Sequence, residues 1–380
     1  MPLFAVLFIF GQCSPPINYS YNYRDRQVAY VGTYTRKEGH VDGQAKGIHR
    51  IVVDKNTGSI LNDQLVAKVT NPSYLATNKG GTQVYATGEL AQPEERTGFL
   101  HVYDVSKRLK EVAKLTTNGR APCHVEVDQT DRFVIVSNYV GGVATLYRAA
   151  GENTREVDVF RVPPVALQGR ESWLHSANLA PDNRTLAICD KGLDKVWLFT
   201  LDAEQERLLP HPQVAVELAK GAGPRHATWS ADGRFLYVIN ELSNSVDVIG
   251  HDAEKKRFAK LQNLSTLPDD FTGDNTCADI ALSPDGRFLY GSNRGHNSIV
   301  SYEVNQPDGR LQPLDWTSSG GTVPRNFTIT PNGKFLMVAN QNSDNIVTLA
   351  RDQRTGRLTK VIQDYELPTP VCLHFIGSIG

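Results

Sequence analysis

The sequence predicts an all-β fold, a seven-bladed β-propeller. Six copies of one hairpin pattern, anchored on Gly81, Asp131, Asn183, Gly233, Gly286 and Gly333, lie 50, 52, 50, 53 and 47 residues apart. Each copy contains about four strand-like segments, and a period near 50 with four strands per unit is typical of propeller blades. The two ends of the chain supply the parts of a seventh copy.

The repeat is clearest between Pro224 and Glu241, which reads as strand, Asp-Gly turn and strand. Asp232-Gly233 offers the positive φ that tight turns require, and β-branched and aromatic residues on both sides suit buried strands. Asp285-Gly286 and Asn332-Gly333 repeat this arrangement. The anchors therefore predict a turn between the first two strands of each blade.

The chain ends predict how the ring closes. Residues 370–375 match the first strand of the repeat but stop before its turn, and residues 28–34 match the second strand with no first strand before it. Pairing them makes the seventh blade from both termini and leaves no open sheet edge. We therefore predict one propeller domain over residues 26–380, with residues 1–25 outside it as a leader.

The N-terminal leader permits two interpretations. Residues 3–10 form an apolar run too short to span a bilayer, followed by Gly11-Gln12-Cys13-Ser14. This pattern fits either the end of a secretory signal or an extension outside the fold. The two interpretations predict export to the periplasm or cell envelope, or a cytoplasmic protein; neither includes a membrane span.

Composition predicts a large globular protein without a nucleic-acid partner. The chain has 380 residues, 40% of them hydrophobic, and a formal net charge of -1, so no polyanion-binding surface is indicated. Four of its five cysteines fall in repeat strands and are predicted to be buried free thiols. Strands buried on both faces give no surface pattern from which to predict an oligomeric state.

Counting from the anchors locates one mouth of the central channel. Eight residues before each anchor and eight after it fall at the same end of the hairpin, away from the turn. If the first strand is innermost, these positions form an early ring and a late ring at that mouth. The early ring reads Ser73, Cys123, His175, Arg225, Ala278 and Arg325. The late ring reads Glu89, Tyr139, Lys191, Glu241, Arg294 and Gln341, with Tyr34 and Val371 from the seventh blade.

The two rings have the chemistry of an anion site. Arg225, Arg294, Arg325 and Lys191 surround His175, and guanidinium groups match carboxylate or phosphate oxygens two at a time. Because Arg225 faces Glu241 in the hairpin, their pairing is expected to lower the pKa of the glutamate. An imidazole beside such cations suits general acid–base chemistry.

Two further sets of polar residues are interpreted as structural. Asn138, Asn240, Asn293 and Asn340, one residue before the late ring, are expected to end their strands by bonding to nearby backbone groups. His124 and His226, one residue beyond the early ring, are expected to point into the blade interface as packed, hydrogen-bonded core histidines.

Three stretches resemble the lactonase family of seven-bladed propellers, which includes 6-phosphogluconolactonases and fungal 3-carboxy-cis,cis-muconate cyclases. They are His-Ser-Ala-Asn at 175–178, Gly-Pro-Arg-His at 223–226 and Asn-Glu-Leu at 240–242. The resemblance covers about residues 27–376. It implies a family site of one histidine, one glutamate and two arginines, which falls on His175, Glu241, Arg225 and Arg294.

The resemblance implies hydrolysis of a sugar lactone, 6-phosphogluconolactone or a similar compound, in glucose metabolism and the pentose phosphate pathway. The predicted catalytic residues are His175 as general base, Glu241 as its orienting group or the alternative base, and Arg225 on the oxyanion. The predicted substrate contacts are Arg294, Arg325, Lys191, Glu89 and Tyr139. No cofactor or metal is expected, and replacing His175 or Glu241 is expected to abolish activity with almost unchanged thermal unfolding.

Three other functions are compatible with the sequence. The family's cyclase reaction forms a lactone instead of opening one, and the extra arginines would suit a polycarboxylate. A calcium-dependent lactonase would also use Glu and Asn side chains at a propeller mouth, although arginines oppose a bound divalent cation. The third is a non-catalytic propeller that binds a protein or an anionic metabolite.

Overall fold

The computed structural model describes residues 25–376, which form seven four-stranded antiparallel sheets. The predicted leader therefore lies outside the described residues except for Asp25. In each sheet the strands follow one another from the channel outward. Contacts between sheets run from each innermost strand to the next, which is the geometry of a closed ring. The predicted seven-bladed propeller is confirmed.

The blades are numbered along the chain, and their strands are given from the channel outward. Blade 1 contains Leu75–Thr77, Gln83–Gly88, Phe99–Asp104 and Lys110–Thr116. Blade 2 contains Arg120–Val127, Phe133–Val140, Val143–Arg148 and Arg155–Arg161. Blade 3 contains Leu174–Leu179, Thr185–Asp190, Lys195–Asp202 and Arg207–Glu217. Blade 4 contains Pro224–Trp229, Phe235–Asn240, Ser245–Asp252 and Arg257–Ser265.

The remaining blades complete the ring. Blade 5 contains Thr276–Leu282, Phe288–Arg294, Ser298–Val304 and Leu311–Ser318. Blade 6 contains Pro324–Ile329, Phe335–Asn340, Asn345–Arg351 and Leu358–Glu366. Blade 7 contains Pro370–Phe375, Arg26–Thr33, Gly47–Asp54 and Ile60–Lys68. Outside the blades lie a hairpin of Lys37–Glu38 with Val41–Asp42, an α-helical turn at Pro164–Leu167 and a 3-10 turn at Gly151–Asn153.

Blade 7 closes the ring as predicted. Its innermost strand, Pro370–Phe375, pairs antiparallel with the N-terminal strand Arg26–Thr33, with Tyr30 opposite His374. On its other side the N-terminal strand pairs with Gly47–Asp54. Both ends of the described chain are therefore held in one sheet, and the N-terminal strand has a hydrogen-bonded neighbour on each side.

The anchor residues adopt the conformation that the sequence predicts. All six have positive φ, from 56° at Asn183 to 70° at Gly233 and Gly333. The connection is longer than a two-residue turn, because Trp229 and Phe235 are separated by five residues closed by a bond from Gly233 N to Ser230 O of 2.9 Å. The anchor is thus the left-handed residue of a wider loop.

Apolar side chains between adjacent blades form the core. Tyr237 and Ile239 of blade 4 pack against Leu289, Val300 and Tyr302 of blade 5, all almost fully buried. Burial of such surface contributes roughly 25 cal/mol per Å² and is the main force holding neighbouring blades together. The four cysteines in the described strands are buried free thiols, as predicted.

A glycine on the outer turn of one blade also contacts the preceding blade. Gly309 has φ of 70°, and a Cβ there would lie 2.4 Å from Phe235 Cγ. Its carbonyl accepts a 3.1 Å bond from the Tyr237 hydroxyl. Both the backbone conformation and the close approach therefore require glycine at this position.

Candidate active site

The innermost strands of blades 2 to 6 share a β-bulge where they meet the channel mouth. The pairing register shifts at residues 122–124, 174–176, 224–226, 277–280 and 324–326. In blades 2, 3, 4 and 6 the extra residue of the bulge is the early-ring residue, and in blade 5 both Ala278 and Asp279 fall between the paired positions. Bulges re-aim side chains and are frequent beside active sites, and here Cys123, His175 and Arg325 of the early ring reach the channel mouth.

Backbone bonds join the two rings as the hairpin geometry predicts. The N–H of a late-ring residue donates to the carbonyl of the residue two positions before the early ring. The bonds are Glu89 to Asn71 at 3.0 Å, Lys191 to Trp173 at 3.0 Å, Glu241 to Gly223 at 2.7 Å and Gln341 to Val323 at 2.9 Å. Val323 has φ of 59°, a conformation that a β-branched residue rarely adopts and that marks this entry to the inner strand as strained.

A cavity of about 310 Å³ opens at this mouth. It is lined by His40, Glu89, Ala91, Ala121, Cys123, Tyr139, Val140, His175, Lys191, Glu241, Arg294 and Arg325. Seven of the eight site residues predicted from the sequence are therefore brought together. The exception is Arg225, which is only 2% exposed and lies beneath the cavity.

Three cations converge on Glu241. Its carboxylate accepts a 2.5 Å bond from Lys191 Nζ and lies 3.2 Å from both Arg294 Nη2 and Arg225 Nε. Burial alone would raise the pKa of Glu241, but Arg294, Arg225 and Lys191 together lower it to about 2. The predicted pairing of Arg225 with Glu241 is confirmed, and the glutamate is an anion at neutral pH.

His175 is a buried neutral imidazole. Its ring is 4% exposed, its Nδ1 lies 3.8 Å from the Cys123 thiol, and it meets Tyr139 edge to face. Burial and the nearby Arg225 guanidinium hold the pKa of His175 well below its usual range. Among the described residues no hydrogen bond joins His175 to Glu241, so direct orientation of the imidazole by this carboxylate has no support in the geometry.

Arg325 belongs to a second network on the other side of the mouth. Its Nη2 donates to the Tyr34 hydroxyl at 2.9 Å, and that hydroxyl donates to Glu89 Oε2 at 2.9 Å. A ring nitrogen of His40 lies 3.1 Å from the same hydroxyl. Within residues 25–376 no carboxylate forms an ion pair with Arg325. Burial lowers the pKa of Arg325, but Tyr34, Glu89 and Glu241 raise it overall, so the cation is stabilised without a direct carboxylate partner.

His40 is a lining residue that the sequence analysis did not identify. It lies on the short hairpin between the second and third strands of blade 7, in a connection that spans residues 34–46, whereas blade 4 uses only residues 241–244 there. Glu38 on this hairpin accepts bonds from Asn71 Nδ2 at 2.7 Å and Gln92 Nε2 at 2.8 Å. In the sequence, only the unusual length of this connection indicated that it could contribute a residue to the cavity.

The predictions for His124 and His226 are partly wrong. Each bonds to the adjacent blade as predicted, His124 to Ala177 N and His226 to Asp279. Their rings nevertheless lie 5.5 Å apart although they belong to blades 2 and 4, so they also meet across the channel. The bulge is the reason, because it inserts one residue and breaks the alternation on which the prediction depended. Both are buried and hydrogen-bonded, as expected.

Three of the four asparagines before the late ring bond to nearby backbone groups as predicted, although only Asn240 and Asn340 are the last residues of their strands. Asn138, Asn293 and Asn340 donate from Nδ2 to the carbonyls of Thr117, Thr266 and Ser319, at 2.9, 2.8 and 3.0 Å. Asn240 instead bonds to the side chains of Ser245 and Asp247. These contacts hold the loops between blades and leave the late-ring side chains directed at the mouth.

The described part of the chain contains neither a metal-ligand cluster nor a membrane-spanning helix. No group of three or more His, Cys, Asp or Glu side chains in residues 25–376 is arranged to hold a metal ion. Over the same residues, no helix has the length and apolar character needed to cross a membrane.

Comparison with known proteins gives consistent matches over the whole ring. The family model described as "Lactonase, 7-bladed beta-propeller" matches residues 28–375. The 6-phosphogluconolactonase of Bacillus subtilis is 32% identical over 362 residues, which cover 93% of this chain and 99% of that protein.

Solved structures agree with that match. The periplasmic gluconolactonase of Pseudomonas aeruginosa superimposes with a TM-score of 0.83 at 31% identity, covering 92% of this chain and 99% of that one. A Lactobacillus plantarum protein superimposes with a TM-score of 0.81, also at 31% identity, and with the same coverage of both chains. The chain therefore belongs to the lactonase family of seven-bladed β-propellers.

Proposed function

We propose that this protein hydrolyses a sugar lactone that carries an anionic group, with 6-phosphogluconolactone as the first substrate to test. The observation that carries the proposal is a neutral, buried imidazole in a mouth of positive formal charge. Among the residues that line the cavity, three are cations, Arg294, Arg325 and Lys191, and two are carboxylates, Glu89 and Glu241. The names of the B. subtilis and P. aeruginosa relatives support lactone hydrolysis as the reaction.

His175 is the general base of the proposed mechanism. As a neutral imidazole it removes a proton from the water that attacks the lactone carbonyl, and as imidazolium it returns that proton to the ring oxygen when the carbon–oxygen bond breaks. The depressed pKa keeps the base form present at neutral pH but makes it a weak acceptor. An anionic substrate at the mouth offsets part of the cationic field and strengthens the base when the substrate is bound.

The cations of the site have two proposed roles: some stabilise the oxyanion, and one binds the anionic group of the substrate. Lys191 and Arg294 line the cavity beside Glu241, which holds both in place, and they are positioned to stabilise negative charge on the carbonyl oxygen. Arg325 donates to the neutral hydroxyl of Tyr34, and in this mechanism its guanidinium binds the phosphate or carboxylate of the substrate. Arg225 lies below the cavity, so we reassign it from the oxyanion to positioning Glu241.

A substrate panel tests this proposal. Initial rates are measured with 6-phosphogluconolactone, gluconolactone and carboxymuconolactone, corrected for spontaneous hydrolysis, with and without a chelator. We expect the highest kcat/KM with an anionic lactone and no effect of the chelator. Replacing Arg325 with methionine should raise KM for that lactone and change neutral gluconolactone little.

Two outcomes of the panel would contradict the proposal. Loss of activity with chelator and its return with calcium would indicate a metal-dependent lactonase. Tight binding of the acids without turnover of any lactone would indicate a non-catalytic module.

The pH dependence provides an independent prediction. Because the active form of His175 is deprotonated and its pKa is depressed, kcat/KM should stay flat as pH falls through the ordinary histidine value of about 6.5 and decline only below it. Replacing Lys191 with methionine removes one of the cations that depress this pKa, so the acid limb should move upward. A wild-type limb at or above that ordinary value, or a limb that Lys191→Met leaves in place, would contradict the assignment of His175.

A further inference from the structure

A chain of three buried polar side chains adjoins Glu241 of the active site, and the mechanism above uses only its last member, Arg225. Its other two members, Asp279 and His226, line a second cavity of about 330 Å³. Asp279 Oδ1 lies 2.7 Å from His226 Nδ1, and His226 Nε2 lies 3.2 Å from Arg225 Nη1. Asp279, His226 and Arg225 are 6%, 4% and 2% exposed. Asp279 belongs to blade 5 and the other two to blade 4, so the chain also links two blades.

The chemistry of these groups fixes the direction of each hydrogen bond. A carboxylate only accepts, so His226 Nδ1 donates to Asp279. Nε2 of a neutral imidazole then accepts, and the guanidinium of Arg225, which only donates, supplies that proton. Burial and the Arg225 charge lower the pKa of His226 to about 4, in agreement with a neutral ring. The opposite tautomer would place two N–H groups against each other.

We propose that Asp279 and His226 form a positioning relay that fixes the Arg225 guanidinium beneath Glu241 and His175. Arg225 Nη1 also donates to Ala278 O at 2.6 Å, and its Nε lies 3.2 Å from Glu241 Oε2. The relay and the Ala278 carbonyl contact the guanidinium at Nη1, and the ion pair with Glu241 contacts it at Nε. The relay thus determines the position of the Glu241 carboxylate and the strength of the Arg225 electrostatic field at His175. This inference rests on the proposed function of the site.

Asn326 explains why the relay needs an aspartate at position 279. Its Nδ2 donates to Asp279 Oδ2 at 2.5 Å, while its Oδ1 accepts a 2.7 Å bond from Leu373 N. The backbone therefore fixes the orientation of this amide. Ile280 N also donates to Oδ1 at 3.0 Å and Phe327 N to Oδ2 at 3.4 Å. Both oxygens of Asp279 therefore face donors only, so an amide side chain at position 279 must set its own N–H₂ against the donors on one side, with either Asn326 or His226 among them.

A single and a double variant test the relay. Asp279→Asn should shift His226 towards the Nε2–H tautomer, observed by ¹⁵N NMR of labelled histidine, and lower kcat on the order of 10- to 100-fold with a smaller change in KM. Adding Asn326→Asp exchanges the amide and the carboxylate between the two positions. In this double variant the carboxylate at position 326 accepts from the amide at position 279 and from Leu373 N. The amide oxygen at position 279 again accepts from His226 Nδ1.

The double variant should recover the Nδ1–H tautomer and most of kcat, which a merely structural role would not predict. The relay is overturned if Asp279→Asn retains the wild-type tautomer and kcat. It is also overturned if the double variant unfolds at the wild-type temperature, shows the Nδ1–H form and stays as slow as the single variant. Should wild type hydrolyse no lactone, the proposed function fails, and the tautomers alone then decide for or against the relay.

Discussion

Replacing His175 with asparagine is expected to lower kcat for lactone hydrolysis by about 10²–10⁴ while the propeller stays folded. Asparagine fits the space and keeps a polar group but cannot accept a proton at neutral pH. Among the described residues the imidazole has one side-chain hydrogen-bond partner, the Cys123 thiol, besides its ring contacts with Tyr139 and His226, so thermal unfolding should change little. Initial rates and a melting curve on the same preparation measure both effects.

His211 provides the matched control. It is another buried histidine of blade 3, 5% exposed, but it lies on the outermost strand and packs against Phe258, far from the channel. His211→Asn should leave kcat unchanged. Equal loss of activity in both variants, or an active His175→Asn enzyme, would remove the assigned base.

Replacing Glu241 with glutamine is expected to impair both activity and stability. The variant leaves Lys191, Arg225 and Arg294 without the carboxylate that they share in a buried site, and removing one partner of a buried ion pair costs about 3–5 kcal/mol of unfolding free energy. The cations then lose their common anchor, and kcat should fall on the order of 100-fold. The sequence-based expectation of nearly unchanged unfolding is therefore revised.

The unfolding free energy lost in Glu241→Gln should depend on pH. The pKa of Glu241 is about 2 in the folded protein, below its ordinary range near 4.3, so its stabilisation is complete above that range and disappears as pH falls through about 2. The stability gap between wild type and Glu241→Gln should accordingly be full at about pH 7 and narrow in acid. Denaturant unfolding at several pH values measures it.

Glu217 serves as the control for this variant. It pairs with Lys195 at 2.9 Å but is 67% exposed on its side chain, and exposed pairs contribute about 0–1 kcal/mol. Glu217→Gln should therefore change neither stability nor rate appreciably. If Glu241→Gln retains wild-type stability and rate as this control should, the ion pairs of Glu241 with its three cations contribute to neither property.

The fold was predictable from the sequence because a propeller repeats its local rules. The positive φ of Gly233 and Gly333 follows from turn chemistry, and the pairing of residues 370–375 with the N-terminal strand follows from the need to cover a sheet edge. The mouth was predictable for the same reason. Counting from the turns places early-ring and late-ring residues at the far end of one hairpin, where Glu241 meets Arg225.

The remaining features of the site could not be predicted, because they depend on local structure that a periodic sequence pattern does not reveal. The inner-strand bulge is a one-residue change in hydrogen-bond register, and with it the His226 ring meets His124 across the channel as well as Asp279 of the next blade. Arg225, the early-ring residue at this bulge, does not line the cavity. Asp279 lies at the equivalent bulge of blade 5, beside the inert Ala278, so no ring position marked it. His40 lies on a connection outside the repeat.

The proposed lactone chemistry takes place at this mouth, between the imidazole of His175 and the guanidinium of Arg325. A crystal structure with the product 6-phosphogluconate would locate the reaction. We expect the product carboxylate beside His175, Lys191 and Arg294, with the phosphate on Arg325. A product bound at another part of the propeller, in an enzyme that turns over the lactone, would show that the chemistry belongs to a different site.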